Sequence, residues 1–179
     1  MRIAIIAALS DNHVLGLNNA LPWSLPDDWR HFRRVTGEHP FITGRTSYEA
    51  EDRLLSPGRN LVLTRKGGSL PEANCETVPS LETALERVAA DPQTGPEGLV
   101  FITGGASVYR EALPMANEAW LTLVHAQLDG DAWFPPMDWS NWNIKQSNWH
   151  AADAQHAHPF HIVHLQRKAP WSLALPANP

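Results

Sequence analysis

Cysteine is nearly absent from this 179-residue chain: Cys75 is the only one. No disulfide framework can form within it, and a lone thiol fits a reducing cytoplasm. Long apolar runs are missing too. No stretch approaches the roughly 18 residues of a membrane-spanning helix. The apolar start, Met1 to Leu9, passes at once into Asp11-Asn12-His13, with no cleavage pattern where a secretion signal needs one. Charge is sparse at 18% of residues against 43% hydrophobic, which excludes a disordered polyelectrolyte and indicates a packed globule. The length suits one domain. The glycine fingerprint G-x-G-x-x-G of common dinucleotide folds is also lacking.

What charge there is lies unevenly. The chain carries a net −5, yet Arg30–Lys66 holds eight basic and four acidic residues, leaving −9 for the remainder. An acidic protein with one basic segment suggests a local anion site; a nucleic-acid surface would want a basic domain.

Short runs rich in Ile, Val, Leu and Phe read as strands: Ile3–Leu9, Pro40–Thr43, Asn60–Thr64, Leu99–Thr103, Ala119–Val124 and Phe160–Leu165. Several are too continuously apolar for a sheet with one wet face. Helical patterns lie between them, at Ser24–Val35 with a capping-box-like Ser-Leu-Pro-Asp start, at Ser80–Ala90 and at Ser107–Leu113. The alternation predicts an α/β fold: a mainly parallel central sheet, helices on both faces and an antiparallel C-terminal edge hairpin. Ser10–Trp23, Asp91–Glu97 and Asp129–Trp139 read as long loops. Residues 1–168 read as one domain, and 169–179, rich in proline, as an extension over the surface.

Two segments echo each other. Phe41-Ile42-Thr43-Gly44-Arg45-Thr46-Ser47-Tyr48 matches Phe101-Ile102-Thr103-Gly104-Gly105-Ala106-Ser107-Val108-Tyr109 in running from buried strand through glycine to a helix start. Such turns allow close backbone approach and present free N–H groups to anions. Either alone is an ordinary tight connection; together they are suited to the two ends of one dinucleotide.

The decisive residue is Asp28. At about 100° per residue, Leu25, Trp29, Phe32 and Val35 all fall within about 100° of it, whereas Asp27 lies off that arc. A carboxylate on an apolar helix face needs partners and acquires a raised pKa, which makes it a functional candidate. Asp27 is a first-turn acid favoured by the helix dipole.

These motifs, in order, resemble dihydrofolate reductase: Ala7-Ala8-Leu9, Leu15-Gly16, Asn19-Ala20-Leu21-Pro22-Trp23-Ser24-Leu25-Pro26-Asp27-Asp28 with Phe32, then Thr43–Ser47, Pro57-Gly58-Arg59-Asn60, Leu63-Thr64-Arg65, Gly104–Tyr109, and Leu121-Thr122 with Asp129-Gly130-Asp131. The resemblance covers about residues 1–168. It implies reduction of 7,8-dihydrofolate to tetrahydrofolate by NADPH, in support of one-carbon, thymidylate and purine synthesis. It also implies dihydrofolate and antifolate inhibitors as ligands, no metal, and a monomeric cytoplasmic enzyme with neither nucleic acid nor membrane as partner.

By position, the resemblance makes Asp28, Trp23 and Thr122 catalytic. Ile6, Phe32, Leu55, Arg59 and Thr103 join Asp28 and Thr122 around the substrate, with Arg59 on its glutamate carboxylate. Ala8, Leu15, Asn19, Ala20 and Leu21 approach the nicotinamide on a mobile loop. Arg45, Thr64 and Arg65 take the adenosine 2′-phosphate beside Leu63. Gly44, Thr46, Ser47, Gly104, Gly105, Ala106, Ser107, Val108 and Tyr109 line the pyrophosphate. Ala50-Glu51-Asp52-Arg53-Leu54 departs from the family pattern, and Arg59 matches only with a one-residue shift. The rivals are a pteridine or riboflavin-precursor reductase, which would not need Asp28 or Arg59, and a non-catalytic nucleotide-binding module, which would have lost the buried acid.

Three other signals are set aside. His156, His158, His161 and His164 lack acidic or cysteine partners for a closed metal site and read as polar strand faces. Cys75 has no base beside it in sequence. Trp139, Trp142 and Trp149 read as packing for the C-terminal strands.

Overall fold

The computed structural model describes residues 1–94 and 98–169. The surface course expected for the tail falls almost wholly on residues 170–179, outside the described residues, as does the end of the Asp91–Glu97 loop. Eight strands form one sheet in the order β5-β4-β3-β6-β1-β7-β10-β9. They are β1 (Arg2–Ser10), β3 (Phe41–Gly44), β4 (Asn60–Leu63), β5 (Cys75–Val78), β6 (Leu99–Gly104), β7 (Glu118–Val124), β9 (Trp142–His150) and β10 (Phe160–Arg167). Every pairing from β5 to β7 is parallel, while β10 runs antiparallel to β7 and β9. The expected parallel sheet with an antiparallel edge is what forms.

Alternation along β1 divides the interior. Ile3 and Ile5 point into the larger core, which includes Leu81, Ala84, Leu85 and Val88 of α3 (Leu81–Ala89) and Val108, Tyr109 and Ala112 of α4 (Ala106–Ala112). Ala4 and Ile6 point the other way, to Phe41, Phe101 and the half-buried Phe32 and Val35 of α1 (Pro26–Thr36). Helices therefore cover both faces, and side chains buried on both sides explain why the inner strands carry so few polar residues. The connection leaving β1 runs to α1 on one face, and that leaving its neighbour β6 runs to α4 on the other. A crevice opens where those paths diverge, at the carboxyl ends of the strands.

Several local expectations need correction. The helix at Ser24 begins at Pro26 with Leu25 as N-cap and no side-chain cap. Instead the Asp27 N–H donates to His156 Nε2 at 3.3 Å, and His156 Nδ1 lies 2.8 Å from Asp153 Oδ1. That buried imidazole ties the β9–β10 connection to the helix start rather than forming a strand face. Two of the three long loops, Ser10–Trp23 and Asp129–Trp139, contain short strands, β2 (Val14–Gly16) and β8 (Ala132–Trp133), which pair with each other. β5 was not anticipated, because only Val78 in it is buried. Of the three late tryptophans, Trp142 is buried beneath the Arg167 guanidinium, but Trp139 and Trp149 are 44% and 55% exposed.

The α3 start is as its sequence implies: Ser80 Oγ accepts the Thr83 N–H at 3.1 Å. Ser80→Ala is expected to cost about 1 kcal/mol, seen as a melting temperature about 2–4 °C lower.

Candidate active site

The crevice is a cleft of about 1150 Å³ running from α1 past the ends of β1, β6 and β3 to the end of β4. At one end stands Asp28. Its carboxyl accepts a 2.6 Å hydrogen bond from Thr122 Oγ1, which β7 carries opposite Ala8 of β1. Burial pushes the Asp28 pKa from 3.8 up to about 6, and the Thr122 hydrogen bond opposes that rise. The acid therefore changes charge near neutrality, as a proton-handling group must. Ile6, Phe32 and Thr103 line the cleft beside it. The Ile6 carbonyl accepts a 2.7 Å hydrogen bond from the buried Tyr109 hydroxyl.

Midway, the two echoing turns meet. Gly44 leads into α2 (Arg45–Tyr48) and Gly104-Gly105 into α4. Gly104 has φ +123°, a conformation that strains any other residue. A Cβ on Gly105 would stand 2.8 Å from Ser47 Oγ. Backbone thus lines this part of the cleft at close range, with the amino ends of α2 and α4 side by side, a cradle suited to a pyrophosphate. At the far end Arg45, Thr64 and Arg65 line the opening. Arg45 is held on Glu49 at 2.5 Å, whereas Arg65 is exposed and makes no ion pair among the described residues. Glycine cradle and exposed guanidinium together fit a phosphorylated dinucleotide.

Ala8, Leu15, Asn19, Ala20 and Leu21 also line the cleft, as do Leu63, Thr46, Ser47, Ala106, Ser107 and Val108. Three expected residues do not. Arg59 is pinned just ahead of β4, where its carbonyl accepts the Phe41 N–H, and its guanidinium lies on Glu76 at 2.6 Å and Asp91 at 3.0 Å. Arg53 lines the cleft instead, 4.9 Å above the Tyr48 ring with a 2.6 Å hydrogen bond to Glu72. Leu55 is displaced by Leu54, because the next residue, Ser56, is fixed by Asn60 and the His39 carbonyl. Trp23 packs with Leu25, Val124, Phe160 and Ile162 and does not reach the cleft.

Among the lining residues that were not anticipated, two are ionisable and lie near Asp28 or the loop before its helix. His31, one turn beyond Asp28, is 7% exposed, and burial first, then the Arg34 charge, lowers its pKa to about 4. Its place one helical turn from an inward acid was the available signal. The other is Asp52, noted in the sequence only as a departure from pattern.

Comparison with known proteins agrees with this geometry. The family model for dihydrofolate reductase matches residues 2–167. A type 3 dihydrofolate reductase of Salmonella typhimurium is 36% identical over 94% of this chain and 99% of its own length. The dihydrofolate reductase of Bacillus subtilis is 32% identical over 93% of this chain and 95% of its own. A solved dihydrofolate reductase of Enterococcus faecalis, in complex with NADP(H) and the compound RAB-propyl, superposes with a TM-score of 0.82 at 26% identity. That match covers 94% of this chain and 97% of the other.

Proposed function

This chain belongs to the dihydrofolate reductase family and reduces dihydrofolate with NADPH, and we propose that Asp28, set by Thr122, is the one ionisable group that governs the reaction. The observation that carries this reading is a half-buried carboxyl with its pKa raised to about 6, at one end of a cleft whose other end is basic.

The cofactor supplies the hydride that goes to pterin C6. The protein's share is to orient, to exclude water and to favour protonation at N5. Asp28 binds the pterin 2-amino group and N3, an acceptor matched to two donors, and its negative charge favours a proton on the ring. Thr122 Oγ1 donates to Asp28 and keeps that carboxyl in one orientation. Phe32 and Ile6 supply the apolar walls against which the flat ring stacks, and Thr103 bounds the floor. Gly44, Gly104 and Gly105 admit the pyrophosphate, and Arg65, with Arg45 and Thr64, selects the 2′-phosphate.

Arg59 has no part in this reading, since it does not line the cleft and its guanidinium lies on Glu76 and Asp91. We assign the carboxylate tail of the substrate to Arg53, which lines the cleft. We take residues 1–168 as the active unit, working as a cytoplasmic monomer open to antifolates. Among the described residues no helix is long and apolar enough to cross a membrane.

The testing experiment is NADPH oxidation followed by absorbance with dihydrofolate as acceptor. Turnover is expected with NADPH and dihydrofolate, and none with a riboflavin precursor; the reverse preference would overturn the assignment. Thr122→Val removes the hydrogen bond that holds the Asp28 pKa down. The acid limb of the pH–rate profile, where Asp28 gains its proton and loses the charge that favours the ring proton, should then move upward by about one pH unit, with Thr122→Ser restoring it.

A further inference from the structure

The segment between β1 and α1 contains three non-glycine residues with left-handed backbone: His13 (φ 64°), Asn18 (φ 52°) and Asn19 (φ 61°). The asparagines are the central pair of a two-residue hairpin. Leu17 and Ala20 exchange both backbone hydrogen bonds, at 2.9 and 3.1 Å. Positive φ at both central positions defines the type I′ turn, which asparagine tolerates well.

Carboxylates from two different parts of the fold hold this hairpin. Asp131, on the β7–β8 connection, accepts the Asn18 N–H at 2.9 Å, and its own N–H donates to the Gly16 carbonyl at 3.0 Å. Together with the β2–β8 pairing, this fastens the hairpin to the β7 side of the sheet. On the β3 side, Asp52 follows α2 and accepts the Leu21 N–H at 2.9 Å. In sheet order β3 and β7 lie on opposite sides of β1. The Asp52 bond therefore crosses the cleft, whereas the Asp131 bonds do not. Arg53, next in sequence, is engaged with Glu72 and Tyr48, and Asp52 has no ion pair among the described residues, so its charge is left for the amide.

We propose that Asp52 is a positioning residue for cofactor binding: its carboxylate fixes the main chain at Leu21 and so latches the hairpin shut across the cleft. The inference rests on the reading of Leu21 as a cofactor contact. A charged acceptor gives the stronger kind of amide hydrogen bond, and its loss should appear in release rather than in association.

The test is dissociation of NADPH from the full chain, followed by stopped-flow tryptophan fluorescence for the wild type, Asp52→Ala and Asp52→Asn. Asp52→Ala is expected to raise the off-rate about fivefold to tenfold, and to raise KM for NADPH more than KM for dihydrofolate. Asp52→Asn keeps an accepting oxygen and should lie between the two. An Asp52→Ala off-rate within about twofold of wild type overturns the latch, and so does Asp52→Asn releasing as fast as Asp52→Ala. NADPH binding by the wild type tests the cofactor reading separately, because the latch is read from the ratio between proteins that bind.

Discussion

Replacing Asp28 with asparagine is expected to lower the rate of dihydrofolate reduction at neutral pH by about a hundredfold to a thousandfold, the usual range for removing a proton-handling group. Asparagine keeps the size of the side chain and one accepting oxygen, so the loss is of charge and proton affinity rather than of packing. The deficit should shrink in acid, where substrate arrives already protonated and needs less help. Equal wild-type and variant rates at neutral pH would remove Asp28 from the mechanism.

The same substitution should stabilise the fold. The native pKa of Asp28 is raised, from 3.8 to about 6. The folded state therefore binds its proton more tightly than the unfolded state does. Stability from this group is fully present below about pH 4 and is lost as pH rises through about 6. At neutral pH the buried charge costs up to about 3 kcal/mol, which Asp28→Asn avoids. The variant should melt several degrees above wild type at neutral pH, and the gap should close in acid. A carboxylate held against its own stability is what a catalytic requirement produces.

Arg65→Ala is expected to raise KM for NADPH by about tenfold to a hundredfold while leaving KM for NADH within about twofold, since a charge-assisted pair to a phosphate is worth more than a neutral hydrogen bond. Arg65 is chosen over Arg45 because Arg45 is already occupied by Glu49. The effect should weaken as salt is added, the guanidinium being exposed. Equal losses for both cofactors would place the 2′-phosphate elsewhere.

The inward carboxyl and the glycine turns that line the cleft were legible in the sequence because they rest on local rules. The angular position of Asp28 among Leu25, Trp29, Phe32 and Val35 follows from helix geometry alone, and the two glycine turns follow from strand-to-helix transitions. The inner strands were legible for a related reason: residues buried on both faces leave continuous apolar runs. What escaped depends on tertiary partners. β5 offers one buried side chain, and β2 and β8 exist only because each pairs with the other. The α1 start is capped from about 130 residues away by His156, which no local pattern announces. Arg59 looked suitable by type and approximate position, but the register of β3 on β4 turns it toward Glu76 and Asp91. Asp52 read as a defect in a motif until the hairpin it holds was in place.

The most direct test of the central claim is a carbon-13 NMR titration of the Asp28 carboxyl in the uncomplexed protein, assigned by the signal lost in Asp28→Asn. A midpoint near pH 6 is expected, with the group still largely protonated at about pH 5. A midpoint near 4, the ordinary aspartate value, would contradict that claim.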